Sequence, residues 1–97
     1  MKAEKMFEKL GYIKYDLKHR DGEWYQKWVD DLRRKNIKIY KNGEEVCVYG
    51  DMFPKQEYIP PNTFPTTLDI AFPITLNRGE LKVLCKRLKE LGWLSND

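Results

Sequence analysis

Hydrophobic and polar positions follow two rhythms along this chain, and the rhythm changes where turn residues stand. Over residues 2–10, Met6, Phe7 and Leu10 fall at i, i+1 and i+4, the single apolar stripe of a short helix. Gly11 follows at once and suits the left-handed residue that closes a helix. Residues 12–17, YIKYDL, alternate and carry aromatic and β-branched types, a strand pattern. The polar KHRDG that follows ends in Asp-Gly, a turn dipeptide. Residues 23–29, EWYQKWV, fit both rhythms. As a strand, Trp24, Gln26 and Trp28 share one face. As a helix, Trp24, Trp28 and Leu32 line up, and DDLRRK would extend it. Aromatic and β-branched enrichment favours the strand.

The clearest local pattern comes next. NIKIYK (36–41) alternates, with Ile37 and Ile39 on one face and Lys38 and Tyr40 on the other, and Asn42-Gly43 separates it from EEVCVYG. Asn-Gly adopts the positive φ values of a tight type I′ turn at little cost, so a hairpin over about residues 37–49 is expected. Residues 51–67 break both rhythms. Pro54, Pro60, Pro61 and Pro65 punctuate them, and proline donates no ladder hydrogen bond, so a long loop is expected. Alternation returns in LDIAF (68–72), and Pro73 marks that strand as an edge strand or ends it. Residues 78–91 read as a helix. Asn77 and Glu80 have capping-box spacing, and Leu81, Leu84, Cys85, Leu88 and Leu91 recur at helical intervals opposite Lys82, Lys86 and Lys89. Gly92 closes it, and Trp93 and Leu94 are placed to fold back.

The expected fold is α+β over one domain, residues 1–97. An antiparallel sheet of four to five strands carries the N- and C-terminal helices packed on one face, which buries both apolar stripes at once. The expected core is Phe7, Leu10, Tyr12, Ile37, Ile39, Val46, Val48, Ile70, Phe72, Leu81, Leu84, Leu88 and Leu91.

Composition narrows the function classes. The 97 residues are 41% hydrophobic and 34% charged, as in a globular chain. No apolar run is long enough to span a membrane, and MKAEKMFEKLGY has no signal-peptide core, so a cytoplasmic location is expected. Net charge is +3, and residues 1–50 hold 12 basic and 9 acidic side chains against 6 and 6 in the remainder. Arg33, Arg34, Lys35, Lys38 and Lys41 cluster without an intervening acid, next in sequence to Trp24 and Trp28. Cations beside aromatics on a sheet can hold phosphates and stack bases, which makes these seven residues a candidate nucleic-acid surface. Aromatics at 13% also suit a protein interface, with Tyr40, Tyr49, Phe53, Tyr58 and Phe64 the candidates and a partner protein or a second copy the occupant.

Catalytic and metal chemistry find little foothold. Cys47 and Cys85 sit among apolar residues and read as buried thiols. With His19 they fall short of a zinc ligand set, so no metal or cofactor is expected. His19, in a charged turn, reads as a solvated loop residue. The Asp30-Asp31 and Glu44-Glu45 pairs point apart on an extended chain and make no acid–base dyad. No phosphate-binding glycine loop or nucleophile elbow is present.

Two segments carry a family likeness. LGYIKYD, within Phe7 to Tyr15, and ELKVLCKRLKELGWL, from Glu80 to Leu94, resemble the "FeeLGYxKy" and "ELxaInkxieELGWl" ends of a family of small uncharacterised proteins of phages and prophages in Firmicute bacteria. The resemblance implies a phage or prophage origin. It brings no activity, cofactor or catalytic residue. The resulting expectation is a non-enzymatic accessory protein acting through protein contacts, with weak nucleic-acid binding as the alternative.

Overall fold

The computed structural model describes residues 1–18, 20–52 and 71–95. Helix α1 (Ala3–Lys9) precedes four strands, β1 (Ile13–Asp16), β2 (Gly22–Trp28), β3 (Arg33–Tyr40) and β4 (Glu45–Met52), and helix α2 (Arg78–Glu90) follows. The strands form one antiparallel sheet in the order β1-β2-β3-β4. The chain is α+β, as its rhythms indicate. Residues 23–28 are strand and Val29 lies just beyond it, so the aromatic content outweighs the helical spacing. Of the expected fifth strand, residues 68–70 lie outside the described residues. Phe72 makes a single antiparallel bridge to Gly50. A side chain at Gly50 would collide with the Phe72 ring, so only glycine admits this contact.

Both helices end alike. Gly11 (φ 93) and Gly92 (φ 81) take the left-handed conformation. Tyr12 N–H bonds Phe7 O at 3.0 Å and Trp93 N–H bonds Leu88 O at 2.9 Å, the long bonds of a Schellman closure. At the start of α2, Asn77 Oδ1 accepts from Glu80 N–H at 2.9 Å and Glu80 Oε1 accepts from Asn77 N–H at 3.0 Å, completing the capping box. The helices run antiparallel over one face of the sheet. Ala3 N–H donates to Glu90 Oε2 at 3.0 Å, and Phe7 stacks on Tyr25 of β2 with ring centroids 4.1 Å apart.

The core is Ala3, Phe7, Tyr12, Tyr25, Ile37, Ile39, Val83 and Leu84, with Leu10, Val48, Leu88, Leu91 and Trp93 packed around it. Several expectations need correction. Leu81 is 48% exposed and Cys85 is exposed, because the buried side of α2 is turned by roughly 80° from the apolar stripe, at 100° per residue. Glu80, Val83, Leu84 and Arg87 face the sheet, and the two charged residues among them go inward because the sheet supplies their partners. Val46 is exposed at the hairpin end of the outer strand. Cys47 is exposed as well, since alternation sets it on the face away from the helices. Leu94 stays exposed beside the returning Trp93. Ile70 lies outside the described residues.

The Asn42-Gly43 turn also differs. Tyr40 pairs with Glu45, so four residues make the loop, and the positive φ falls on Glu44 (φ 51) rather than on Asn42 and Gly43. Lys41 explains this. Its N–H donates to Asp21 O at 2.8 Å and its ammonium lies 3.5 Å from Glu23, so it leaves the β3–β4 ladder for the β2 side. The β2–β3 loop is closed by Asp30, whose Oδ1 accepts from Leu32 N–H and Arg33 N–H, an Asx turn.

Candidate functional site

Strand alternation divides the sheet's side chains between two faces. The helix side holds Glu23, Tyr25, Ile37, Ile39, Val48 and Lys35. There Arg87 of α2 donates to Glu23 through Nε (2.8 Å to Oε1) and through Nη2, while Tyr25 Oη donates to Glu23 Oε1 at 2.7 Å. Glu80 accepts from Tyr12 Oη and, at 2.9 Å, from Lys35 Nζ. Burial alone would push both carboxyls up. For Glu23, the Arg87 guanidinium and the Tyr25 hydroxyl outweigh it and hold the group at about 2. For Glu80, Tyr12, the Asn77 N–H and Lys35 do the same, and its pKa ends below the usual carboxylate range. Burial, and then donation to these carboxylates, raises the Tyr12 and Tyr25 phenols. The polar groups of this face are spent on fastening α2 to the sheet.

On the opposite face, four cross-strand rows can be read from the register. The first is Tyr15–Trp24–Lys38–Cys47, the second Ile13–Gln26–Asn36–Tyr49, the third Trp28–Arg34–Asp51 and the fourth Gly22–Tyr40–Glu45. No helix of the described residues covers these rows. Tyr15 and Trp24 lie 5.1 Å apart between ring centroids. The Lys38 ammonium sits 4.7 Å from the Trp24 ring and 5.1 Å from the Tyr49 ring. Arg34 lies over Trp28 at 5.3 Å and Arg20 over Tyr40 at 4.0 Å. These are cation–π distances. Burial pulls the Lys38 pKa down, but the Tyr49 hydroxyl outweighs it and the group ends raised.

A buried amide network holds the aromatics in place. Asn36, fully buried, accepts through Oδ1 from Trp24 Nε1 at 2.9 Å and from Gln26 Nε2 at 3.0 Å, and its Nδ2 donates to Asp51 Oδ1 at 3.0 Å. Asp51 in turn takes a two-pronged pair from Arg34, Nε at 2.9 Å and Nη2 at 2.5 Å. Trp24 is thus oriented by its own hydrogen bond, and Trp28 by the guanidinium over its ring. Among the described residues no buried side-chain polar atom lacks a partner, the condition under which a buried polar network rigidifies a surface.

The two candidate sets from the sequence are redistributed by this geometry. Trp24, Trp28, Arg34 and Lys38 of the basic-aromatic set share the helix-free face with Tyr40 and Tyr49 of the interface set. Lys35 instead binds Glu80 on the helix side, Lys41 leans to Glu23, and Arg33 pairs with Asp30 at 2.6 Å. Phe53, Tyr58, Phe64 and His19 lie outside the described residues. Tyr15, Ile13 and the Asn36–Gln26–Asp51 network were not singled out from the sequence. Their only signal there is the period-2 alternation that gives Ile13 and Tyr15 one parity, and the register then sets Tyr15 opposite Trp24. No three His, Cys, Asp or Glu side chains among the described residues are grouped to hold a metal ion, and no described helix is long and apolar enough to cross a membrane. The chain matches no family model, no curated protein and no solved structure.

Proposed function

We propose that this chain is a non-enzymatic accessory protein, of the small phage and prophage kind its two ends resemble, that works in the host cytoplasm through protein contacts. The contact surface is the helix-free face of its sheet, and the occupant is a second copy. The observation that carries this reading is a pre-positioned aromatic surface whose charges are nearly all matched within itself. Arg34 is spent on Asp51, Arg20 lies 3.8 Å from Glu45, and among the described residues of this face Lys38 is the one cation without a carboxylate at ion-pair distance. Tyr, Trp and Arg held rigid by buried hydrogen bonds are what interfaces use most. A face with little net charge does not repel its own copy, which a symmetric interface requires. The same balance disfavours a polyanion here, because one uncompensated cation displaces about one counterion and binds weakly.

Light scattering across a range of protein concentrations tests the reading. A mass rising towards twice 11.7 kDa is expected for the wild type, and a monomer mass for Trp28→Glu at the same concentrations. Trp28 is 45% exposed, so that variant keeps the fold. A wild type that stays monomeric into the millimolar range contradicts self-contact.

A further inference from the structure

The surplus positive charge does not sit where the sequence clusters it. Helices α1 and α2 with their N-caps, residues 2–9 and 77–90, hold eight basic and four acidic side chains, while the rest of the chain holds ten and eleven. On α2, Arg78, Lys82, Lys86 and Lys89 fall within an arc of about 80° at 100° per residue, diametrically opposite the buried residues Glu80, Val83 and Leu84. The row extends about 16 Å along the helix at 1.5 Å per residue. Among the described residues none of these four cations has a carboxylate within ion-pair distance. The acids of the layer are engaged elsewhere: Glu80 with Lys35, Glu90 with Arg87, Glu4 with Lys14 and Glu8 with Lys5. The row borders a shallow hollow of about 560 Å³ whose remaining lining residues are Leu81 and Cys85. Lys9 of α1 lines the neighbouring groove with Lys82 and widens the positive strip.

We infer that the outward face of α2 is a docking strip for the phosphate backbone of duplex nucleic acid, centred on Arg78, Lys82, Lys86 and Lys89. A row of cations on a rigid helix, with no carboxylate at ion-pair distance among the described residues, matches a regularly charged backbone. The strip carries no aromatic side chain on which unpaired bases would stack, which favours a duplex over a single strand. Beside the cations it exposes only Leu81 and Cys85, while Val83 and Leu84 of the same helix are buried in the core. An amphipathic helix that lies in a membrane inserts its apolar face, so an anionic lipid surface is the poorer fit. Contacts of this kind position a protein on the duplex without reading its sequence. The strip is on the opposite side of the molecule from the aromatic sheet face, and its assignment does not depend on the reading of that face.

Fluorescence anisotropy with a labelled mixed-sequence DNA duplex, titrated from about 50 to 200 mM salt, tests this. Four phosphate contacts give a slope of log affinity on log salt between about −3 and −4. The double variant Lys82→Gln, Lys86→Gln is expected to lose about two units of that slope and at least tenfold in affinity at the low-salt end. Lys38→Gln, on the other face, is expected to change neither. Absence of binding at the low-salt end overturns the inference. So does an equal loss from Lys38→Gln, and so does binding to phosphatidylglycerol vesicles with none to the duplex. Unchanged far-ultraviolet circular dichroism of the double variant separates lost docking from lost fold.

Discussion

The two faces of one sheet use the same residue types for different ends. Towards the helices, polar side chains form long-range pairs: Glu23 with Arg87 and Glu80 with Lys35 and Tyr12 bridge residues 64, 45 and 68 positions apart. Away from the helices, polar side chains tie neighbouring strands to one another and steady the aromatics beside them. Buried ion pairs such as those of the helix side add little net stability over an apolar pair, yet removing one partner is costly. What they supply is a unique seat for α2. The opposite face spends its network on orienting Trp24 and Trp28.

The largest expected difference between the faces is in stability. Glu80→Ala leaves the Lys35 ammonium and the Tyr12 hydroxyl without a partner and removes half of the capping box, so a loss of about 3 kcal/mol is expected. Trp28→Ala, which trims an exposed ring, should cost under about 1 kcal/mol. Urea denaturation of both variants measures the contrast. Equal losses would dissolve the distinction between a fastening face and a contact face.

Acid should attack the helix side. Glu23 is held at about 2, and Glu80 and Glu90 also lie below the usual carboxylate range, Glu90 through the Ala3 N–H and Arg87. A depressed folded-state pKa means stability that is present above the unfolded value, near 4.5, and lost as pH falls from there towards 2. Thermal midpoints followed by circular dichroism should therefore be flat from pH 7 to 5 and fall steadily below about 4.5. A flat profile to pH 2.5 would contradict the helix-side pairing.

Within α2 the contrast narrows to two leucines. Leu84→Ala empties a core site and should cost about 2–4 kcal/mol. Leu81→Ala, in the same helix, should stay within about 0.5 kcal/mol. Similar losses from the two would restore the apolar stripe that leucine spacing alone suggests.

Much of this fold is legible locally. Gly11, Gly92 and the Asn77–Glu80 box mark helix ends through interactions a few residues long, and period-2 alternation marks β2, β3 and β4. The rotation of α2 is not legible, because Glu80 and Arg87 look like surface residues until β2 and β3 bring Glu23 and Lys35 to them. The basic cluster misleads for a related reason. Neighbouring residues on a strand point apart, so Arg34 and Lys35 face opposite sides, and only the register shows which carboxylates neutralise them. The exposed Cys47 and Cys85 follow from the same two facts, alternation in β4 and rotation in α2. The aromatic face itself was half legible, since Trp24 and Trp28 share a parity, while Asn36 and Asp51 disclose their role only as cross-strand neighbours.

The most direct measurement is a dilution series followed by the three tryptophan indole proton resonances. Trp24 and Trp28 stand on the helix-free face, and Trp93 packs by the helices. If that face binds a second copy, the Trp24 and Trp28 signals shift with concentration while Trp93 stays still. Movement of Trp93 alone, or of none of the three up to millimolar concentration, would contradict it.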